Sequence, residues 1–208
     1  MLDKLRSFNN EFSSWATSQP DEWKPRTIRS INRRHEIYPP GLSWFSGRID
    51  VYLDRKYHIM AVCSYINSTV YVSAVWNAYR KNHLLILNNI IRCSRRLEKG
   101  NSCHEEKFQF DEILGDLLAS VPFHLVSNLT SFAEQVDGGL EPTIIPGRSI
   151  GGLIIMHPLY VISHLSVVHP RIHAQMRDCL AWIGTHMGIG EATILSSVRK
   201  PKLQNIRD

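Results

Sequence analysis

Residues 149–198 decide the fold, and they read SIGGLIIMHPLYVISHLSVVHPRIHAQMRDCLAWIGTHMGIGEATILSSV. Residues 150–168 are almost wholly apolar, so a helix there must be buried nearly all round. In the second part apolar residues recur every three or four positions, as on one face of a helix. They are Ile172, Met176, Cys179, Ile183 and Met187. A last short helix follows from Ala192 to Val198. The stretch predicts an all-α protein, an irregular helical bundle with a buried central helix near the C-terminus.

Length and composition are those of an ordinary globular chain. The 208 residues are 43% hydrophobic and 21% charged, which is enough to build a domain with a real core. Residues 1–100 hold sixteen Lys/Arg against eight Asp/Glu, and residues 101–208 hold eight against eleven. The excess of basic residues in residues 1–100 is interpreted as a solvated face and not as a nucleic-acid site, because no Lys/Arg cluster is interleaved with aromatic residues. The best basic patch, Arg29, Arg33 and Arg34, is interpreted as an exposed loop.

The cysteines argue against a zinc ribbon and against a thioredoxin-like site. They are Cys63, Cys93, Cys103 and Cys179, and none belongs to a C-x-x-C pair. Scattered cysteines fit a reducing compartment. The first residues, MLDKLRSF, lack the apolar core of a secretion signal, so secretion is not expected.

Residues 1–57 are predicted to hold one helix and then an irregular segment rich in Pro and Arg. The helix covers residues 1–18, where large apolar side chains recur at helical spacing. They are Leu2, Leu5, Phe8, Phe12 and Trp15. Pro20 ends the helix, and no strand is expected afterwards because alternation of apolar and polar residues is weak.

Residues 58–198 are predicted to form a helical domain of regulatory type, followed by a loose tail, 199–208. One helix should run from about Ile59 to Leu97, with Lys99, Gly100 and Asn101 as its stop. Phe110 to Val121 should form another, which Pro122 breaks or kinks before a continuation to Val136.

Gly147 to Gly151 match the pattern G-x-S-x-G of hydrolases, with Ser149 in the place of the nucleophile. That chemistry needs a strand-to-helix turn and a later base and acid. Candidate partners do follow: His157, His164, His169, His173, Asp178 and His186. The segment before Ser149 is too short and too interrupted to be a central strand. Ser149 is therefore interpreted as the cap of a helix, and no catalytic residue is predicted.

Two further patterns have a functional and a structural interpretation. His169 and His173 are four residues apart, as metal-binding pairs on a helix are, but Pro170 places them at a helix boundary. We interpret them as partly exposed or hydrogen-bonded histidines, and predict neither metal nor cofactor. Ile150 to Val168 has the length of a membrane span. His157 and His164 make it a poor one, so a buried helix is favoured.

Two segments, taken together, carry a resemblance. The first is VSAVWNAYR, residues 72–80, and the second runs from GGL at 151–153 through HPLYV at 157–161 to IG at 183–184 and MGI at 187–189. Their order and spacing resemble the C-terminal regulatory region, the fungal-specific transcription factor domain, of fungal transcription factors with an N-terminal binuclear zinc cluster. The resemblance implies a helical regulatory region in which Trp76 and Tyr79 are packed and Arg80 pairs or caps. It implies no catalytic residue.

The chain departs from that family's pattern in its cysteines. The zinc cluster needs six, including two C-x-x-C pairs, whereas this chain has four and none in its first sixty residues. Neither zinc nor direct base reading is therefore carried over. The resemblance implies a transcription-factor-like protein that acts through protein contacts or self-association, with DNA reached only through a missing module or a partner. A small-molecule effector is compatible with it.

The expected location is the nucleus, or the cytoplasm if a missing N-terminal part carries the nuclear signal. Two alternatives stay open: a small serine hydrolase using Ser149, and a membrane-associated helical protein anchored by Ile150 to Val168. Neither is favoured, and the chain is expected not to be an enzyme.

A further hypothesis concerns the gene. Arg55 to Val70 interrupts an otherwise direct step from Asp54 to Tyr71, so this segment could be a translated retained intron and Met1 need not be the true start. In that case the long helix should begin nearer Tyr71 than Ile59, and the insertion should pack poorly.

Overall fold

The computed structural model describes residues 1–30, 43–52, 62–97, 103–138 and 144–198, with side chains from Thr69 onward in the third range. These residues form seven helices and two short strands. The helices are α1 (Leu2–Ser18), α2 (Val62–Leu97), α3 (His104–Leu125), α4 (Leu129–Asp137), α5 (Ser149–Ile162), α6 (Pro170–Met187) and α7 (Gly190–Ser197). The strands are β1 (Arg26–Ser30) and β2 (Arg48–Val51). The prediction of an all-α helical bundle is confirmed.

The main core lies where α2, α3, α5 and α6 meet. Each helix contributes apolar side chains spaced three or four residues apart, because only that spacing keeps them on one helical face. Fully buried examples are Leu84, Leu87 and Ile91 of α2, Leu117 and Val121 of α3, Ile155, Leu159 and Ile162 of α5, and Met176, Leu180 and Ile183 of α6.

The segment predicted to be irregular contains two paired strands, so that prediction is wrong for residues 26–30 and 48–51. β1 and β2 are antiparallel, with Thr27 opposite Asp50, and the Thr27 hydroxyl donates to the Asp50 carboxylate at 2.7 Å. Just before β2, Trp44 and Phe45 are each only 2% exposed and belong to the main core. The strands are short and most of β1 is exposed, which explains why alternation did not predict them.

Pro122 lies inside α3 and does not break it, which was one of the two outcomes expected there. The helix continues to Leu125, and Val126 N–H still donates to the Pro122 carbonyl at 3.0 Å. Residues from Val121 to Leu125 are mostly buried, and this burial outweighs the helix-breaking tendency of proline. The chain turns at Asn128, whose side chain accepts from Ser131 N–H and starts α4.

α2 begins at Val62, close to the predicted Ile59 and not near Tyr71, where the intron hypothesis placed it. The predicted stop at residues 99–101, residues 55–61 of the supposed insertion, and the tail 199–208 lie outside the described residues. Of the basic patch, Arg29 lies exposed in β1 and pairs with Asp137 at 3.1 Å, while Arg33 and Arg34 lie outside the described residues.

α5 is buried on one side only, so the prediction of burial nearly all round is corrected. The helix ends at Ile162, and Ile150 and Leu153 are 46% and 47% exposed. Its buried side carries Gly151 and Gly152. A Cβ on Gly151 would lie 2.0 Å from the His124 carbonyl oxygen, so α5 approaches α3 at backbone distance. None of the described helices is long and apolar enough to cross a membrane.

The amphipathic pattern of α6 is confirmed. Met176, Cys179, Ile183 and Met187 are buried, and Ile172 is half-buried. Burial raises the pKa of the Cys179 thiol well above its usual range. α6 ends at Gly188, whose φ of +72° is the left-handed conformation that glycine adopts without strain, and the predicted last helix follows as α7.

Candidate functional site

The segment from Trp76 to Arg80 on α2 faces two different neighbours. Asn77 and Arg80, three residues apart, are buried towards α3 and β2. Trp76 and Tyr79 pack against α1, with ring centroids 5.4 and 4.8 Å from the Trp15 ring. One helical turn therefore places polar side chains in the core and aromatic side chains under α1.

Arg80 is 1% exposed and is the most buried cation described. Its guanidinium donates to the Tyr52 hydroxyl and lies 3.5 Å from the Asn77 side-chain oxygen. The guanidinium carbon lies 5.6 Å from the Trp76 ring centre. Within the described part of the chain no carboxylate forms an ion pair with Arg80. As expected, the aromatic side chains are packed and the arginine is paired. The partners of Arg80 are the Tyr52 phenol, the Asn77 amide and the face of the Trp76 ring.

The bonds continue from Asn77 into α3. Asn77 Nδ2 lies 2.8 Å from His124 Nε2, and the Ser120 hydroxyl lies 3.0 Å from Asn77 Oδ1. Because an amide nitrogen only donates, His124 accepts at Nε2. Burial, with the charge of Arg80 as a second cause, lowers the pKa of His124 to about 3, so its ring stays neutral. We call Tyr52, Arg80, Asn77, Ser120 and His124 the Arg80 network.

A second set of bonds joins α1 to α2. The Tyr79 hydroxyl lies 3.0 Å from His83 Nδ1, and His83 Nε2 lies 2.7 Å from Asn9 Oδ1. Because the Asn9 oxygen can only accept, Nε2 carries the proton and Nδ1 accepts from Tyr79. Burial lowers the pKa of His83 to about 4 and raises that of Tyr79 to about 12, so both side chains are neutral at pH 7.

The same asparagine bonds onward to α3. Asn9 Nδ2 donates to Gln109 Oε1 at 2.9 Å, and Gln109 Nε2 donates to the Ser13 hydroxyl at 2.8 Å. Tyr79, His83, Asn9, Gln109 and Ser13 are called the α1 network. Every donor in it points the same way, from Tyr79 towards Ser13, so one change of protonation disturbs its neighbours.

A polar cleft of about 330 Å³ opens beside the α1 network. It is lined by Ser13, Arg48, Tyr79, His83, Gln109, Glu112, Ile113 and Asp116. Arg48 bridges two carboxylates there, Asp50 at 3.0 Å and Asp116. The volume and the mixed charges of this cleft suit a small polar molecule.

Ser149 does not stand in a hydrolase site within the described residues. It is the first residue of α5 and not its cap, which is Arg148, so the capping interpretation is also corrected. The exposed Ser149 hydroxyl lies 3.5 Å from the Met187 carbonyl oxygen. His157 is exposed about two turns further along α5. His164 lies 2.9 Å from the Tyr160 carbonyl oxygen, and His186 bonds to the Trp182 carbonyl at 3.0 Å.

His169 and His173 do not form a metal pair. The His169 ring caps α6 by accepting from Arg171 N–H at 3.2 Å, as expected for a histidine at a helix start. His173 donates from Nε2 to the Leu165 carbonyl at 2.8 Å. Among the described residues no group of three or more metal-binding side chains lies close together.

The chain is similar to a fungal transcription factor. The relative is "Transcription factor dbaG" of Emericella nidulans, with 33% identity over 197 residues. The match covers 94% of this chain and 43% of the relative, so the chain spans less than half of that protein's length. No family model matches, and no solved structure matches.

Proposed function

We propose that the chain is a regulatory protein of fungal transcription-factor type that acts in the nucleus through protein contacts. The observation that carries the proposal is its similarity to a protein named as a transcription factor along 94% of its length. Because the match spans 197 of the 208 residues, both segments that resemble the regulatory region of the zinc-cluster factors lie within it. The proposed role is regulation by binding, without catalysis.

The Arg80 network supports a scaffolding role for the segment from Trp76 to Arg80. Its members are buried and bonded to one another, so no substrate reaches them without unfolding. Because these buried polar side chains bond to one another, they fix how α2 packs against α3 and against the residue that follows β2. Such a scaffold then presents its surfaces for recognition.

The exposed side of α5 is the proposed protein-contact face. Ile150 and Leu153 are nearly half exposed, and with His157 they lie on one side of the helix at spacings of three and four residues. Isolated apolar side chains on a surface are common, but a row along one helix is a typical helix-docking pattern. In this proposal DNA is read by another module or by a partner, since the chain has no zinc-cluster cysteine pattern.

A reporter assay tests the function. The full chain is fused to an unrelated DNA-binding domain in a fungal host, and transcription from a reporter carrying that domain's site is measured. We expect the fusion to change transcription relative to the DNA-binding domain alone. An unchanged reporter, with the fusion folded and nuclear, would remove the proposal.

Matched variants test the contact face. Leu153→Glu should abolish most of the effect on the reporter, because a charge on an apolar docking surface must be desolvated. Ile194→Glu, on α7 and 65% exposed, is the control and should act as wild type. Ser149→Ala should also act as wild type. Equal activity of Leu153→Glu and Ile194→Glu would move the contact face away from α5.

A further inference from the structure

α1 packs against aromatic side chains of α2. Phe12 stacks on Tyr79 at 5.8 Å, and Trp15 meets the edge of Trp76 at 5.4 Å. These rings of α2, together with His83, form a groove that α1 covers with two aromatic residues three apart. On α1 those residues are Phe12 and Trp15.

Polar contacts determine the register of α1 in that groove. Asn9 bonds to both His83 and Gln109, and Arg6 pairs with Glu106 at 3.2 Å. When α1 covers the groove, these bonds satisfy the side chains of His83 and Gln109 on the side facing α1. The groove is therefore specific in charge and in hydrogen bonding as well as in shape.

The helix in the groove is nevertheless only lightly held. No residue of α1 is fully buried, whereas the groove residues Trp76 and His83 are 6% and 0% exposed. α1 therefore covers the groove as a surface helix, without side chains enclosed in the core. Helices with few buried contacts belong to the least stable parts of a fold.

The connection after α1 is a short hinge with a firm anchor beyond it. Residues 19–22 make a turn in which Trp23 N–H donates to the Pro20 carbonyl at 2.9 Å. Trp23 is fixed, because its carbonyl accepts from Trp76 Nε1 at 2.7 Å. If the turn opened, α1 would leave while Trp23 and β1 stayed in place. Exchange of an identical element between copies is a low-cost route to dimers, and short hinge loops favour it.

We propose that α1 is exchangeable, and that two copies of this chain form a dimer in which each α1 occupies the groove of the other. The occupant that matches the groove in aromatic spacing, amide position and charge is α1 itself, so a second copy supplies every contact unchanged. The exchanged dimer loses no contact except at the hinge, and the balance depends on protein concentration. The exchange goes beyond the proposed function and does not depend on it.

A crosslinking experiment on the full chain tests the exchange. Arg6→Lys keeps the charge and places a reactive amine beside the Glu106 carboxylate, which a zero-length carbodiimide reagent can join. Chains labelled with heavy nitrogen are mixed with unlabelled chains at equal amounts, and monomer and dimer fractions are separated and crosslinked. Mass spectrometry then shows which chains supply the two halves of each crosslink between positions 6 and 106.

In the dimer, about half of the crosslinks should join a heavy chain to a light chain, and in the monomer none should. Glu106→Gln is the control that removes this crosslink. Absence of a dimer at high concentration, or a dimer whose crosslinks all lie within single chains, would overturn the proposal.

A second variant tests the hinge without touching the groove. A flexible Gly/Ser insertion between Asp21 and Glu22 lets α1 fold back on its own groove, so the dimer fraction should fall severalfold. The same insertion should leave the helical circular dichroism of the monomer unchanged. A dimer fraction that does not respond would place the dimer interface elsewhere and overturn the proposal. The reporter assay is a separate measurement, so either idea can fail alone.

Discussion

Where α1 and β2 meet α2 and α3, polar side chains are bonded one to the next, whereas α5, α6 and α7 meet through apolar side chains and glycines. His124 belongs to both regions, since its ring bonds to Asn77 and its backbone carbonyl contacts Gly151. The first region depends on the direction and protonation of individual bonds. The stability of the second depends on how the side chains and glycines fill the space between the helices. We expect the two to fail under different perturbations.

The largest effect should come from filling space in the apolar region. A Cβ introduced by Gly151→Ala would meet the His124 carbonyl oxygen at 2.0 Å, and a backbone atom cannot move aside as a side chain does. We expect a loss of about 3 kcal/mol or more in the free energy of unfolding, measured by urea denaturation. Gly115→Ala on α3 is the control, because nothing lies within 4 Å of its Cβ. That variant should be neutral or slightly stabilising.

In the polar region the largest effect should come from Arg80. Arg80→Ala leaves the buried Tyr52 hydroxyl without its guanidinium donor, removes one of the two donors to the Asn77 oxygen and creates a cavity. The free energy of unfolding should fall by about 2 to 4 kcal/mol. Asn82→Ala, exposed on the same helix, should change it by less than about 0.5 kcal/mol. Equal losses in the two variants would contradict the importance given to the network.

Acid should loosen the polar region first. The pKa of His83, about 4, lies below its ordinary 6.5, so the neutral ring stabilises the fold. That stabilisation is complete above about pH 6.5 and is lost as the pH falls through about 4. A second proton on His83 removes the acceptor for Tyr79, at a cost of about 1 to 2 kcal/mol. The fluorescence of Trp15 should report the release of α1 in this range.

Carboxyl groups other than His83 lie in the same region, namely Glu112 and Asp116 in the cleft and Glu106 paired with Arg6. His83→Gln, which keeps a donor towards Asn9 but does not titrate, separates their effects. The variant should lose the part of the fluorescence change that belongs to the imidazole. An identical pH profile for wild type and variant would contradict the role given to His83.

The smallest effect should come from the ion pair of α1. The Arg6 side chain is 38% exposed, so water and salt screen its contact with Glu106. Arg6→Ala should cost less than about 1 kcal/mol, and less still at high salt. Thermal melts at low and high ionic strength would measure this. A loss as large as that of Arg80→Ala would mean that α1 is held more firmly than its exposure indicates.

The helices were predictable wherever an apolar stripe repeats, as in α1, α6 and α7. The pairing of β1 with β2 could not be predicted. The two strands, RTIRS and RIDV, are only five and four residues long and show no alternation of apolar and polar residues, and their pairing joins segments that are distant in the sequence. A break or kink at Pro122 was expected from the low helix propensity of proline, and the sequence does not show the burial that keeps α3 continuous there. The exposed side of α5 could not be read from a stretch that is apolar all round.

The site was predictable only in part. The resemblance pointed to Trp76, Tyr79 and Arg80, and all three lie where the two polar networks meet α2. Asn77, His124 and Asn9 were missed. Their signal was present as single polar residues within apolar or amphipathic helices, but nothing in a sequence shows which of them meet across helices.

The buried thiol of Cys179 on α6 can report how often this fold opens. Cys179 is fully enclosed and its thiol stays protonated, so an alkylating reagent reacts with it only while α6 is open. Cys93 and Cys103 are half-buried and should be modified sooner. In the natural protein, without an added label, the delay between modification of Cys93 and Cys103 and modification of Cys179 measures how often the apolar region opens.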